Sequence, residues 1–494
     1  MVCTMANPNK WLNAKSLIAA IAALLFVAIV AAVWYFIFGN ATMVTRTKLV
    51  NISNAPVQHK TIRIIGQWKG EDKREDFLAE TLKEFITRNP WDSVQLKWSP
   101  DFPGGRAGAI QAMIDQLKTG KIDWDVIWLE PAIYQRIAAA LGDQNWAKRY
   151  LVDFETVPGF YDTQKPFILS DRQYRDQMNG MITGPYIEGF YQPLFYNKEL
   201  ADMIGIKVKD QGMTFDDLLG YFAQVNEYNK AHKTNIPILY DSGDHQGGIG
   251  YAASTWNIFQ RLFQSRFASL SEVEDLSPSA TKLAAVKQTL ASLEQLGKFK
   301  PLIPGWKDLD WYGTRSYVLD DKAVFTACGA SWLYSDWAGL DPKKTMKMVP
   351  VEMPAYQPID YYMGGYNPIF AVVKDSPVRD EAVKLLMSFT TPNVSEKWVR
   401  YAKALSGVKG NISAAGSISS QPDQFDDFIT SITNKYGSNI FDSATVDYIL
   451  GDKYKGLTLK FAMHLGDVMD GKASADEAYA AILKDMNEVD GNIK

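Results

Sequence analysis

The chain has 494 residues, of which 47% are hydrophobic and 22% are charged. This length predicts about two or three globular domains, and the composition excludes an intrinsically disordered or collagen-like chain. The formal net charge of −4, from 52 Lys and Arg against 56 Asp and Glu, argues against a dedicated nucleic-acid binder. Two cysteines, Cys3 and Cys328, are too few for a disulfide scaffold or a four-cysteine zinc site, and we expect both to be unpaired.

Residues 17–38 form an uncharged apolar run, LIAAIAALLFVAIVAAVWYFIF. As a helix this run is ~33 Å long, enough to cross a bilayer core, and it ends in the interfacial residues Trp34 and Tyr35. It is longer than the apolar core of a usual signal peptide, so an uncleaved anchor is favoured over a cleaved signal peptide. The basic leader favours a short cytoplasmic terminus at 1–16, and polar residues 39–57 are typical of a linker to an extracytoplasmic domain.

The segment after the linker alternates strands with amphipathic helices. Period-two or apolar runs predict strands at 61–68, 94–98 and 125–129. Helical spacing of apolar residues predicts helices at 72–88, 107–118 and 132–141. This βαβαβα order predicts an open α/β lobe.

The pattern changes after Gly184-Pro185, which interrupts the chain before a new strand. Further strands are predicted at 190–196, 236–240, 323–326, 347–351 and 364–373. Further helices are predicted at 215–229, 255–266, 279–296, 379–389 and 394–405. Thr214 is a good N-cap for the first of these helices, and Ser474 with Glu477 gives the last helix of the chain a capping signature.

Candidate binding residues are those that directly follow strands, because open α/β sheets bind ligands beyond the carboxyl ends of their strands. Large aromatic rings beside carboxylates suit a sugar, since the rings pack on C–H groups and the carboxylates accept hydroxyl hydrogen bonds. The alternative for Asp72 is a favourable charge at a helix N-terminus, and the alternative for Trp128 is core packing. The candidates on this argument are Trp68, Asp72, Trp128, Glu130, Tyr134, Asp241, Asp244, His245 and Trp256. Gly365 and Tyr366 are further candidates, because the backbone there can approach a ligand closely.

Several chemistries are disfavoured. Gly248, Gly250 and Ala253 match a short dinucleotide-binding pattern, but they lie in a predicted loop well past the preceding strand. Asp241, Asp244 and His245 have poor spacing for a metal site. The sequence has no G-x-S-x-G elbow and no P-loop. We therefore predict no cofactor, no metal and no catalytic residues.

Four segments, taken together and in order along the chain, carry a resemblance to a known family. They are DVIW at 125–128 before a helix, ITGPY at 182–186 leading to LFYNK at 194–198 with Gly205, Thr214-Phe215 and Asp217-Leu218 beyond it, DKAV at 321–324 through GASW at 329–332, and Gly364-Gly365 followed by Glu381-Ala382. In this order and spacing, over about residues 60–490, the chain resembles the family 1 extracellular solute-binding proteins, the maltose-binding type of ABC importer component. Members are commonly cleaved or lipid-anchored, whereas an uncleaved helix is favoured here.

The resemblance implies an α/β, two-lobed periplasmic-binding-protein type II (venus-flytrap) fold, here with an N-terminal transmembrane helix. It implies one lobe of residues 58–186 and 352–410, and a second lobe of residues 187–351 and 411–494. Ligand would be held between lobes that close by hinge bending. The resemblance also implies that Glu188, near the first crossing between lobes, faces the cleft, and that Trp332 stacks on a sugar.

The implied function is that of a membrane-anchored extracellular receptor for a small polar solute, a sugar or oligosaccharide above all, which it delivers to ABC permease subunits. The expected partners are this solute, the permease and, through the N-terminal helix, the membrane, with no nucleic acid. Two alternatives remain open. One is a sensory ligand-binding domain, and the other is a glycoside-processing enzyme that uses Glu130 and Glu188.

Overall fold

The computed structural model describes residues 60–170, 178–243, 253–409, 423–441 and 446–492. The predicted membrane segment and linker lie outside these residues, as do the candidate site residues Asp244 and His245. No helix within the described ranges is long and apolar enough to span a membrane. All described elements belong to one compact unit, His59–Lys494.

The first sheet has the strand order β2-β1-β3-β10. Its strands are β1 (Lys60–Gly66), β2 (Asp92–Trp98), β3 (Val126–Trp128) and β10 (Phe370–Val372), and the helices after the first three are α1 (Arg74–Arg88), α2 (Gly105–Thr119) and α3 (Pro131–Leu141). β1 pairs in parallel with β2 and β3, whereas β10 is antiparallel to β3. The predicted βαβαβα order is confirmed. Neighbouring Ile64 and Ile65 of β1 are both fully buried, because both faces of the sheet are covered.

The second sheet has the strand order β6-β7-β5-β8. Its strands are β5 (Leu194–Asn197), β6 (Leu239–Tyr240), β7 (Phe325–Thr326) and β8 (Met348–Val351). β6 and β7 are parallel, and β5 is antiparallel to β7 and β8. The predicted strand at 236–240 shrinks to two residues, since Pro237 has no backbone N–H to donate.

A third, small sheet joins the first two along the chain. It consists of β4 (Glu188–Tyr191), β9 (Tyr362–Asn367) and β11 (Ile440–Phe441), in the order β11-β9-β4. β4 continues into β5 of the second sheet, and β9 continues into β10 of the first sheet. The predicted strands at 190–196 and 364–373 are each split in two at a proline, Pro193 and Pro368, because proline cannot donate to a strand ladder. The chain therefore crosses between the two larger sheets at β4 and again at β9.

The remaining described helices cover the three sheets. They are α4 (Trp146–Tyr150), α5 (Phe160–Thr163), α6 (Pro166–Ser170), α7 (Lys198–Ile204), α8 (Phe215–His232), α9 (Ser254–Gln264), α10 (Leu270–Glu274), α11 (Ala280–Gly297), α12 (Thr314–Tyr317), α13 (Ser331–Leu340), α14 (Pro342–Thr345), α15 (Arg379–Ser388), α16 (Pro392–Ala402), α17 (Gln424–Tyr436), α18 (Asp447–Leu450), α19 (Thr458–Met469) and α20 (Ala475–Asn492). Short 3-10 turns lie at Ser99–Asp101, Phe154–Thr156, Trp306–Asp308, Trp311–Gly313 and Asp452–Leu457. The predicted caps are confirmed, with a capping box between Thr214 and Asp217 at α8 and reciprocal bonds between Ser474 and Glu477 at α20.

Helices from distant parts of the chain pack on each of the two larger sheets. Trp398 of α16 contacts Phe77 of α1, with ring centroids 5.1 Å apart. Phe425 of α17 stacks on Phe195 of β5 at 6.1 Å. These contacts place α16 beside the first sheet and α17 beside the second. The lobe boundaries at 186, 351 and 410 stay a prediction.

Candidate ligand-binding cleft

The parallel strands β1 and β3 end at one edge of the first sheet, where two predicted tryptophans lie. Trp68 follows β1 and Trp128 ends β3, and both rings are almost completely buried. Trp68 has φ of 81°, in the left-handed region that large side chains avoid. Its ring is fixed by Phe370 at 5.8 Å and Trp398 at 5.5 Å. This packing holds a strained backbone at the strand end.

Arg74, in the first turn of α1, lies within 4.0 Å of three carboxylates. Its guanidinium lies 2.8 Å from Asp72, 3.5 Å from Glu71 and 4.0 Å from Glu188. The Asp72 carboxylate is fully buried, and it also accepts the backbone N–H of Arg74 at 2.8 Å. Asp72 therefore orients Arg74. The sequence offered two roles for Asp72, a charge at the helix N-terminus or a direct ligand contact, and the structure shows it as the partner of an arginine in the cleft.

Glu71 is held by a short chain of hydrogen bonds. The Ser99 hydroxyl donates to Gln67, whose amide donates to Glu71. The Glu71 side chain is only 7% exposed. Burial raises its pKa, although Arg74 and Arg106 act in the opposite direction. Glu71 is therefore a buried acid whose charge is only partly compensated.

Trp128, Glu130 and Arg106 form a second group at the same sheet edge. The Trp128 indole N–H donates to Glu130 at 2.9 Å. The Arg106 guanidinium lies 3.6 Å from Glu130 and 4.4 Å above the Trp128 ring. Trp128 therefore both packs in the core and orients a carboxylate, so the two interpretations of this residue from sequence are compatible.

The crossing strands β4 and β9 contribute Glu188 and its neighbours. Glu188 pairs with Asn367 across the two strands, and Phe190 pairs with Gly365. Directly paired residues share a face of an antiparallel sheet, so these four residues lie on the face that carries Glu188 toward Arg74. Burial raises the pKa of Glu188 to about 7, with Glu130 raising it further and Arg74 opposing.

The second sheet contributes an aromatic cluster near the ends of β6 and β7. The ring of Trp311 stacks on Tyr312 at 3.7 Å and meets Trp332 edge-on at 4.7 Å. Arg315 lies 4.7 Å above the Tyr312 ring and pairs with the fully buried carboxylate of Asp336, its Nε donating at 2.8 Å. Trp332, predicted from sequence, is thus one ring of a group of three.

Electrostatic interactions link the two sets of residues. Burial raises the pKa of Tyr312, and the next contributions come from Glu71 and Arg106 beside the first sheet. Burial likewise raises the pKa of Asp336, which Arg315 opposes and which Asp72 reinforces. Groups of the two sheets therefore share one electrostatic environment, which we call the cleft. Its members are Glu71, Asp72, Arg74, Arg106, Trp128, Glu130, Glu188, Trp311, Tyr312, Arg315, Trp332, Asp336 and Asn367.

Four of the candidate residues lie outside the cleft, in a helix cap or in packed rings. Asp241 is fully buried and accepts backbone N–H bonds from Ser254 and Thr255, so it caps α9. Burial raises the pKa of Asp241 to about 6. The other three are core or back-face rings. Trp256 packs on Phe461, Tyr134 packs on Trp146, and Tyr366 covers Gly189, on the sheet face opposite Glu188.

The residues that sequence reasoning missed are Glu71, Arg74, Arg106, Trp311, Tyr312, Arg315, Asp336 and Asn367. Glu71 could have been selected as readily as Asp72, since both follow β1. Asn367 follows the selected Gly365-Tyr366 pair. Alternate residues of a strand share a face, so selecting Gly365 should have led to Asn367 and not to Tyr366. Trp311 and Tyr312 lie in a 3-10 turn and Arg315 lies in the short helix α12, all between α11 and β7, where no strand end marks them.

A metal site would require a cluster of ligating side chains. No group of three or more His, Cys, Asp or Glu side chains within the described ranges could hold a metal ion. The cleft carboxylates are instead engaged by arginines or by the Trp128 indole. What the arrangement offers a ligand is aromatic faces, hydrogen-bond acceptors and fixed guanidiniums.

No family model and no curated protein sequence matches the chain, but many solved structures match its fold. The GacH receptor of Streptomyces glaucescens, solved without ligand and with acarbose, is 17% identical, with a TM-score of 0.62 over 87% of this chain and 98% of that chain. The chain has the two-lobed α/β fold of the periplasmic binding proteins.

Two further structures show the same fold. Maltose-bound MalE3 of T. maritima is 15% identical, with a TM-score of 0.60 over 87% of this chain and 99% of that chain. An ABC substrate-binding protein from Listeria monocytogenes in complex with cycloalternan is 14% identical, with a TM-score of 0.61 over 88% of this chain and 99% of that chain. The predicted two-lobed architecture is confirmed. The resemblance from which it was predicted is confirmed at the level of fold.

Proposed function

We propose that the chain is a family 1 solute-binding protein that captures a sugar or oligosaccharide in the cleft. The observation that carries the proposal is that the buried acids and arginines of the first sheet and the rings of Trp311, Tyr312 and Trp332 border one electrostatic environment. Aromatic faces from one lobe and buried hydrogen-bonding groups from the other are what a saccharide requires. The structural neighbours, which hold acarbose, maltose and cycloalternan, support the same ligand class.

Ligand capture works through closure. The lobes are joined at β4 and β9, so rotation about these strands opens or closes the cleft. A ligand shifts such an equilibrium only as far as it binds the closed state better than the open one. A saccharide that touches Trp332 on one side and Glu130 on the other makes both contacts only when the cleft is closed. Contacts from both lobes therefore drive closure.

Anchoring and delivery complete the proposal. Residues 17–38 hold the protein in the cell membrane as an uncleaved helix, and residues 39–57 tether the binding domain on the outer side. The closed, loaded domain is then recognised by ABC permease subunits, and ATP hydrolysis belongs to a separate chain. Uptake of the identified saccharide should fall in cells that make the chain without residues 1–38, since the receptor would then no longer be held beside its permease.

This chain performs no chemistry on its ligand. One observation favours the enzyme alternative, because the pKa of Glu188 is raised by burial and by the charge of Glu130, as that of the acid in a glycosidase pair is. A binder returns every bound saccharide intact, whereas a glycosidase returns shorter products. Chromatography of saccharides recovered from the protein distinguishes the two, and cleavage that stops in Glu188→Gln would overturn the binding proposal.

A saccharide screen by thermal shift tests the proposal directly. The full chain is purified in a detergent without a sugar headgroup, so that the detergent does not compete. A ligand at a hundred times its Kd should add about 2.7 kcal/mol of stability. Trp332→Ala should abolish the shift, and Trp91→Ala is the matched control, because Trp91 is 54% exposed and precedes β2 at the opposite edge of the first sheet. The absence of a shift with any saccharide would refute carbohydrate binding.

A further inference from the structure

Each of the three cleft arginines lies nearest to one carboxylate and covers one aromatic ring. Arg74 holds Asp72 and lies 5.3 Å above Trp68. Arg106 and Arg315 hold Glu130 and Asp336 in the same way, above Trp128 and Tyr312. These contacts fix each guanidinium from two sides. Among the described residues of the cleft, every arginine therefore already has a carboxylate partner.

Glu71 and Glu188 have no guanidinium of their own. Both share Arg74, which is already bonded to Asp72 and lies 3.5 Å and 4.0 Å from them. Their side chains are only 7% and 12% exposed, so water compensates little of their charge. A buried carboxylate without a cation is costly, and it takes up a proton instead. The cleft therefore has two acidic groups more than its arginines can neutralise.

The groups around Glu188 do not supply the missing charge. Glu130, Asp72 and Arg74 act on it, and two of these three are acids. Lys165 is the nearby lysine, but its ammonium lies 5.2 Å above the Tyr366 ring, on the other face of the β4–β9 pair. Among the residues that the structure describes, no other cation neutralises Glu188, which leaves a proton or a ligand to do so.

An unpaired acceptor lies beside Glu188. Asn367 is its cross-strand partner, and the Asn367 side-chain oxygen is buried and accepts no hydrogen bond from the described residues. A buried orphan acceptor is expensive, and it calls for a donor. This observation is independent of the charge count and points to the same kind of group.

We infer that the cleft selects saccharides that carry a protonated amino group, placed at Glu188, Asn367 and Glu71. The inference rests on the proposed carbohydrate-binding function and names its substrate class. An ammonium has three donors and no acceptor, so it can bond two carboxylates and the Asn367 oxygen at once. A neutral hydroxyl has one donor and leaves the excess charge in place. The ammonium instead replaces the proton on Glu188.

Three trimers that share one β-1,4-linked backbone test the inference. Their C2 substituents are an amine in the glucosamine trimer, an acetamide in the N-acetylglucosamine trimer and a hydroxyl in cellotriose. Isothermal titration of the full chain at pH 7, in sugar-free detergent, should show the amine trimer binding at least tenfold tighter than either neutral trimer. Repeating the titration in two buffers of different ionisation enthalpy should reveal proton release from Glu188 with the amine trimer alone.

Two variants and the remaining outcomes complete the test. Glu188→Gln should remove the preference for the amine, so that the amine trimer no longer binds more tightly than the neutral trimers. Glu199→Gln, on an exposed face of α7, is the matched control and should keep the preference. Equal or tighter binding of a neutral saccharide, or of maltotriose added as a further probe, overturns the inference and leaves carbohydrate binding standing. Binding of no saccharide overturns the proposed function itself.

Discussion

Glu188 should make the ligand-free protein less stable as the pH rises. Its ordinary pKa of 4.5 is raised to about 7 by burial, so between these values the folded state keeps a proton that the unfolded chain releases. Stability therefore falls as pH rises through this window, and above pH 7 the whole cost is present. The two pKa values differ by an amount that corresponds to about 3 kcal/mol. Glu188→Gln removes the ionisation and should recover this free energy at pH 8 but not at pH 4.5.

The effect is large enough to measure by thermal unfolding. A unit of about 430 residues unfolds with an entropy of about 0.9 kcal/mol/K, so 3 kcal/mol corresponds to a change of about 3 °C in Tm. The Tm difference between Glu188→Gln and wild type should grow from near zero at pH 4.5 to about 3 °C at pH 8. An equal Tm difference at both pH values would refute the electrostatic reasoning.

Glu352 provides a matched control of opposite sign. It is also a buried glutamate, but Lys435 and Tyr436 lower its pKa despite burial, and the Lys435 ammonium lies 2.9 Å away. Glu352→Gln leaves Lys435 and the buried Arg261 without their counter-charge, so it should destabilise the protein by about 3–5 kcal/mol at neutral pH. If both glutamine variants changed Tm in the same direction, burial alone would explain the effect and the charge assignments would be wrong.

Two further changes separate scaffold from site. In Gly189→Ala the new methyl would lie 2.4 Å from the Tyr366 ring and 2.9 Å from Leu405. Urea unfolding should therefore show that the free energy of unfolding falls by about 1–3 kcal/mol. The control is Gly220→Ala, in open space on α8, which should leave the free energy of unfolding unchanged or raise it by up to about 1 kcal/mol. Asp241→Ala should cost about 1–3 kcal/mol in the same assay by leaving the N–H groups of α9 unpaired, with saccharide affinity unchanged. A large affinity loss in Asp241→Ala would return Asp241 to the binding site.

The fold could be predicted from sequence to the extent that local patterns determine it. Period-two and helical spacing predicted the first βαβαβα run, and the caps at Thr214 and Ser474 were correct because capping depends on residues three apart in the chain. The interpretation was wrong about strand continuity at Pro193 and Pro368. Apolar character continues through both prolines, but the strand ladder does not. Each break marks the place where the chain leaves one sheet for another.

The site was harder to predict because its partners are distant in sequence. The rule of strand ends selected Trp128 and Glu130, which the structure places together in the cleft, since the parallel strands bring their ends to one edge. It also selected Trp68, whose ring packs in the core. The same rule selected Asp241, yet a carboxylate at a strand end can equally cap the next helix, as this one does for α9. Only the folded chain shows which use is made of the carboxylate.

The same limit explains why the charge imbalance could not be seen in the sequence. The net charge of −4 is spread over the whole chain and says nothing about five carboxylates and three guanidiniums gathered in one cleft. Asp72 and Asp336 lie 264 positions apart, yet Asp72 raises the cost of the charge on Asp336. If stability alone had shaped this cleft, Gln at position 188 would serve better than Glu above pH 7. A buried acid that weakens the empty protein is instead what a receptor needs when its ligand supplies the missing charge, because the relief of that cost on binding adds to the affinity.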